Sequence, residues 1–224
     1  MRSSNRVRRS SVAVVVLGAI GLAASGCHLL SKPLPSSGGG EWRSLFDGKS
    51  LAGWKVTEFG GSDDAVRVED GAILLDFSGA DLTGVTYTQP TPTMNYEVAL
   101  QAMRVDGADF FCGLTFPFNE SCCSLIVGGW GGSLVGISSF DGLDASENET
   151  TAYRTFDNDY WYSIRLRVTE DRIEAWIGDE EVVDARPGSR EISVRGEVDL
   201  SQPFGLAAWN TKAALRDIRV RTLN

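Results

Sequence analysis

Four carboxylates, Asp141, Asp144, Glu147 and Glu149, crowd into SSFDGLDASENETT at residues 138–151, a glycine-containing stretch with no basic residue. Such a group can do one of three things. Two carboxylates turned into a cleft, with their pKa values moved apart, serve as acid and base. Several converging oxygens hold calcium, although Asp141 and Asp144 lack the alternating spacing of an EF-hand loop. The third arrangement is a solvated connection whose Asp, Ser and Asn side chains satisfy their own backbone. Upstream, CCSLIVGGWGGSLVG sets Gly128, Gly129, Gly131 and Gly132 around Trp130. Glycines there permit positive φ and remove bulk, so the indole is either thrust to the surface, where a sugar ring can stack, or turned inward as a plug. Earlier still, in MRVDGADFFCGLTF, Asp109 stands at a strand entrance close to that glycine-rich stretch, while turn chemistry accounts for Asp106. Asp109, Asp144 and Glu147 are the candidate catalytic carboxylates.

The rest of the inventory narrows the chemistry. The only histidine is His28, so a Ser-His-Asp triad, a Cys-His pair and a histidine-rich metal site are excluded, and any base is Asp, Glu, Tyr or Lys. Arg104, Arg165 and Arg167 can hold sugar hydroxyls or an oxyanion through charge-assisted hydrogen bonds. They can equally pair with Glu97 or Glu174 on a polar sheet face. Trp161 and Trp176 fall on the polar sides of their strands, an unusual place for a large aromatic. Trp130, Arg104, Trp161, Trp176 and Arg165 are therefore the candidate substrate-binding residues. A divalent cation such as calcium is the candidate cofactor, with no ligand set readable from spacing. Besides Cys27 the chain has Cys112, Cys122 and Cys123, which allow one bridge from Cys112 to either of the adjacent pair. Adjacent cysteines suit zinc poorly.

Residues that do chemistry need elements to hold them, and the hydrophobic period supplies these. In YWYSIRLRVT, residues 160–169, Tyr160, Tyr162, Ile164, Leu166 and Val168 alternate with Trp161, Ser163, Arg165 and Arg167. That is a half-buried strand. RIEAWIG repeats the pattern after TEDR, which predicts a hairpin. Comparable runs such as AILLDFS, NYEVALQAMRV and SLVGISS follow one another between Gly, Asp, Asn and Pro, and no segment after the N-terminal apolar run keeps a 3.6-residue period for three turns. An all-β, two-sheet jelly-roll sandwich is expected over residues 41–224.

The N-terminus sets the compartment. Arg2, Arg6, Arg8 and Arg9 precede an apolar run from Val12 to Ala24, too short to span a bilayer, as in a secretory signal. Its end, LAASGC, resembles a bacterial lipoprotein signal, which implies lipid on Cys27, residues 1–26 as the signal peptide and SKPLPSSGGG as a tether within 27–40. The departure is Ala24, where such signals usually carry Leu. The expected location is the cell envelope, periplasmic or surface-facing, with a membrane contact through that lipid. Residues 1–26 hold four arginines and no acid, so their removal takes the net charge from −9 to −13. Acidity of this size, with no basic stripe, excludes nucleic acid as a partner.

WRSLFDGKSLAGWK at 42–55 and FGLAAWNTKAALRDIRVR at 204–221 resemble the opening and closing signatures of the 3-keto-disaccharide hydrolase domain family. In the first, Leu45 and Phe46 read as a short buried strand, Asp47-Gly48 as the turn, Leu51 as the packing residue beneath it and Trp54 as the start of the next strand. The resemblance implies a concanavalin A-like sandwich and cleavage of glycosides already oxidised at C3, with an oligosaccharide or oxidised glycoside as partner. The signatures sit at the ends of the domain, so no catalytic position is carried over. Two alternatives stay open: a carbohydrate-binding module without catalysis, and a structural envelope domain. The Glu-x-Asp-x-x-Glu pattern of sandwich-fold glucanases has no counterpart here, which disfavours retaining hydrolysis by paired carboxylates.

Overall fold

A computed structural model of the 224-residue chain describes residues 39–224. The expected signal peptide, Cys27, His28 and the tether up to residue 38 lie outside the described residues. Fifteen strands follow along the described chain: β1 (Arg43–Ser44), β2 (Trp54–Val56), β3 (Val66–Glu69), β4 (Ala72–Leu75), β5 (Leu82–Tyr87), β6 (Tyr96–Gly107), β7 (Cys112–Phe118), β8 (Ser121–Gly128), β9 (Leu134–Ser138), β10 (Ala152–Tyr153), β11 (Tyr162–Val168), β12 (Ile173–Ile177), β13 (Glu180–Ala185), β14 (Gly205–Trp209) and β15 (Thr211–Thr222). They make two antiparallel sheets. One runs β13-β12-β11-β6-β15-β4-β3 with β1 beside β15, and the other runs β10-β9-β8-β7-β14-β5-β2. This is the two-sheet jelly roll that the period of two predicts.

Alternation explains how the sheets close on each other. Tyr162, Ile164, Leu166 and Val168 of β11 are buried, and across the expected hairpin Val168 pairs with Ile173. They meet Leu114, Phe116, Leu125 and Ile137 of the seven-stranded sheet in one core. Each such side chain contributes about 1.5–3 kcal/mol when fully buried. Tyr160, expected to belong to the strand, precedes it and is exposed.

The two terminal signatures lock together. The strand in the first is Arg43–Ser44 rather than Leu45-Phe46: Leu45 N–H still donates to the Ile218 carbonyl (2.8 Å), but the chain then turns inward and buries both side chains. Asp47 Oδ1 accepts the N–H groups of Lys49 and Ser50, and the Trp54 indole N–H donates to the Leu45 carbonyl at 2.8 Å. The closing segment bends at Asn210 (φ +41°), a residue tolerant of that region, and passes from one sheet to the other. Gly40, expected in the tether, is already fixed, donating to the Thr222 carbonyl at 2.8 Å.

The disulfide that the cysteine count allows does not form. Cys112 stands opposite Val127, whereas Cys122 and Cys123 stand opposite Pro117 and Phe116. Four or five rungs at about 3.4 Å each exceed the roughly 7 Å Cα limit for a bridge. Burial pushes the Cys112 thiol up to about 12 and the Cys123 thiol higher still, so both act as small apolar side chains.

A second apolar cluster lies on the outer face of the seven-stranded sheet: Leu82, Phe110, Ile126, Leu134, Ala145, Val198 and Ala207. Small residues let chain segments lie flat there. A Cβ on Gly136 would stand 3.1 Å from Ala145, and one on Gly205 would stand 2.5 Å from the Ser201 carbonyl oxygen. Residues 139–151 and 190–201 thereby cover part of the face, joined to each other by the Ser139 N–H donating to Ser193 (2.7 Å) and by the Phe140–Ile192 bridge.

Candidate functional site

Between these covering segments the face stays open as a cleft of about 220 Å³. Asp109, Trp130, Arg195 and Glu197 line it together with Phe110, Ile126, Ser138, Val198 and Trp209. Asp109 is fixed by backbone on both sides. Its own N–H donates to Thr211 Oγ1 (3.0 Å), its Oδ1 accepts the Phe110 N–H (2.7 Å) and its Oδ2 accepts the Gly131 N–H (3.3 Å). The Gly131 bond carries the carboxylate to the turn that displays Trp130.

That turn is strained where it matters. Trp130 has φ +48° and ψ +57°, a left-handed conformation uncommon for a bulky residue and frequent at functional sites. Its side chain is 42% exposed, so of the two placements open to it the indole takes the surface. The Arg195 guanidinium lies 5.6 Å from its ring centroid. Arg195 is itself gripped: Nη1 donates to Asp144 Oδ2 (2.6 Å), Nη2 to Glu197 Oε1 (2.7 Å) and Nε to Glu197 Oε2 (3.3 Å). The hydrogen bonds with Glu197 raise the Arg195 pKa, and the same bonds hold the Glu197 carboxyl below the usual range. Three of the five guanidinium N–H groups are thus taken, leaving one on each terminal nitrogen for a ligand.

The acidic stretch does not converge on the cleft as a cluster. Asp144 reaches it only through Arg195 and also accepts the Ser146 hydroxyl (2.7 Å). Asp141 accepts the Glu191 N–H (3.0 Å), Glu149 pairs with Arg190, and Glu147 is exposed. Asn148 holds the loop closed by donating to the carbonyls of Ile137 (2.8 Å), Leu143 (3.1 Å) and Asp144 (2.8 Å). The loop is mainly a clamp on residues 190–197.

Three of the expected binding residues lie elsewhere. Arg165, Trp161 and Trp176 sit with the eight-stranded sheet. Arg165 lies 3.7 Å from the Trp176 ring centroid and donates to Glu97 (3.2 Å), and Arg216 lies 3.9 Å from that of Trp161. Strand register sets this lattice, with Arg165 opposite Trp176 and Arg167 opposite Glu97. Arg104 is buried beneath the Trp130 turn, where it donates to Asn158 Oδ1 (2.8 Å), the Gly132 carbonyl (3.3 Å) and the Phe156 carbonyl. It supports the site from below.

Sequence reasoning missed Arg195, Glu197, Phe110 and Trp209. A signal existed for Trp209: alternation in GLAAW sets it beside the small Gly205 and Ala207, opposite the buried Leu206 and Ala208. Among the described residues no group of three or more His, Cys, Asp or Glu is arranged to hold a metal ion.

Two packed antiparallel sheets with a cleft on one outer face define a jelly-roll sandwich, and solved structures share the architecture. The chain is similar to a putative glycosyl hydrolase from Parabacteroides distasonis ATCC 8503 (14% identity, 82% of this chain and 94% of that one, TM-score 0.54). It is similar also to the carbohydrate binding module CBM66 from Bacillus subtilis (15%, 76% and 96%, TM-score 0.52) and to a prokaryotic β-1,3-1,4-glucanase (lichenase) derived from a mouse hindgut metagenome (10%, 82% and 99%, TM-score 0.55). A search of curated protein sequences returned no match. Residues 41–221 match the model of the 3-keto-alpha-glucoside-1,2-lyase-like domain, and the chain belongs to that family.

Proposed function

We propose that this protein cleaves glycosides whose sugar already carries a ketone at C3, and that it does so at the cleft of the seven-stranded sheet. The ketone acidifies the hydrogen on C2. Asp109 takes that proton as general base, and the electron pair moves into an enolate whose oxygen accepts the two unspent N–H groups of Arg195. As the C3 carbonyl re-forms, a C1–C2 double bond is made and the C1–O bond breaks. The leaving oxygen takes its proton from water. A second water then adds to C1 and a proton returns to C2, so the net change is hydrolysis. Glu197 and Asp144 hold Arg195 in place.

The observation that carries the proposal is the placing of Asp109 and Arg195 on one cleft, in a chain of this family. A second reading, binding without turnover, is favoured by the exposed Trp130 beside that cleft. On sequence grounds we place the protein at the cell envelope, held by lipid on Cys27. The test mixes residues 39–224, which contain both sheets and the core, with 3-keto-disaccharides and their unoxidised parents and follows sugar release by NMR. Release from the keto compounds alone is expected. Release from neither by folded protein would refute the proposal, and retained affinity for plain sugars would then favour the binding module.

A further inference from the structure

The cleft is ionic at its mouth and apolar at its base. The side chains of Arg195 and Glu197 are 37% and 44% exposed, and Trp130 stands out beside them. Phe110, Ile126 and Val198 are buried at 7%, 3% and 6%, and they continue into the second apolar cluster. Trp209 closes this end, its ring 6.3 Å from that of Phe110 and tilted by 48°. The one hydroxyl in the lining, on Ser138, accepts the Ala145 N–H at 2.9 Å.

We infer that the base of the cleft seats an aromatic aglycone, so that the substrates are aryl 3-keto-glycosides with the oxidised sugar at the mouth. The inference rests on the function proposed above. Sugar hydroxyls pushed into the base would leave water without finding partners, whereas an aromatic ring has none to lose and packs on Phe110 and Trp209. The whole cleft, mouth included, measures about 220 Å³, below the roughly 300 Å³ of a typical whole-ligand site, so its apolar base takes about one ring while the rest of a glycoside stays at the open mouth. The leaving-group chemistry agrees. Of the two carboxyl groups in the lining, Asp109 works at C2 and Glu197 is held ionised by Arg195, so neither is assigned to a departing alkoxide, whereas a phenol, with a pKa near that of Tyr at about 10, leaves as phenolate when the C1–O bond breaks and takes its proton from solvent afterwards.

The experiment compares three 3-keto-glucosides bearing the same oxidised ring and a phenyl, a cyclohexyl or a glucosyl aglycone, using wild type and Trp209→Ala. The cyclohexyl compound separates apolar seating from leaving-group quality. The expected result is a KM at least about tenfold lower for phenyl and cyclohexyl than for glucosyl, with Trp209→Ala narrowing that preference by about tenfold. Equal or better use of the glucosyl compound, or a Trp209→Ala effect shared by all three, overturns the inference. If nothing is turned over, binding of unoxidised phenyl α-glucoside is read from the Trp209 indole NMR signal. A shift there would support the aromatic seat while the proposed reaction fails, and its absence would refute both.

Discussion

The outer faces of the two sheets use the same residue types to opposite ends. On the eight-stranded sheet Arg, Trp and Glu cancel one another: Arg165 and Arg216 stack on Trp176 and Trp161, and Glu97, fully buried, collects Arg165, Arg167 and Arg221. On the seven-stranded sheet one arginine is held by two carboxylates with donors to spare, beside one tryptophan on left-handed backbone. What separates the faces is access and not residue type: the Arg165 Nε that lacks a partner is buried within the lattice, whereas the two unspent N–H groups of Arg195 stand at an open cleft.

Breaking the eight-stranded face should cost stability and spare chemistry. Glu97→Gln keeps the shape but removes the carboxylate that Arg165, Arg167 and Arg221 share, a loss of about 3–5 kcal/mol that urea unfolding would measure, with turnover per folded molecule unchanged. The pH dependence follows. Burial alone would raise the Glu97 pKa, but hydrogen bonds from Arg167 and Arg221 outweigh it and hold the carboxyl below its ordinary value. Its contribution is complete above the unfolded value near 4.3 and is lost as pH falls through the folded one. Wild type should therefore lose stability more steeply than the variant below about pH 4.

Breaking the other face should do the reverse. Arg195→Ala is expected to lower turnover of a 3-keto-glycoside by about 10²–10³-fold, as for loss of an oxyanion donor, with little change in Tm. An effect on Tm alone would make the two faces alike. Smaller still is Trp176→Ala, which removes the stack on Arg165 for about 1–2 kcal/mol and leaves turnover intact. The smallest effect belongs to Glu147→Gln. Exposed, it should stay within about 0.5 kcal/mol in stability and about twofold in turnover, and a tenfold loss of turnover would return the acidic loop to the chemistry.

The sequence exposed much of this arrangement. The β11–β12 hairpin was legible because a period of two runs from Tyr162 to Val168 and resumes from Ile173 to Ile177 after the turn, and Asp109 and Trp130 were legible through the glycines around them. Arg195 and Glu197 were not, since VRGEVDLS has no period and is led to the cleft by Ile192 and Ser193 just before it, which pair with Phe140 and Ser139, far away in sequence. Trp161, Trp176 and Arg165 were correctly placed on a polar face, but alternation cannot tell that face from the outer face of the other sheet. The disulfide failed for a similar reason: spacing along the chain does not give rungs along a hairpin.

The central claim, removal of the C2 proton by Asp109, is tested most directly by running the reaction in D₂O and reading C2 of the released 3-keto sugar by NMR at early times, against the same sugar incubated without protein. The account predicts deuterium at C2 in the product of wild type, with release slowed by about 10²-fold or more in Asp109→Asn. Sugar released with its C2 hydrogen intact would contradict it, because cleavage would then proceed by direct displacement at C1.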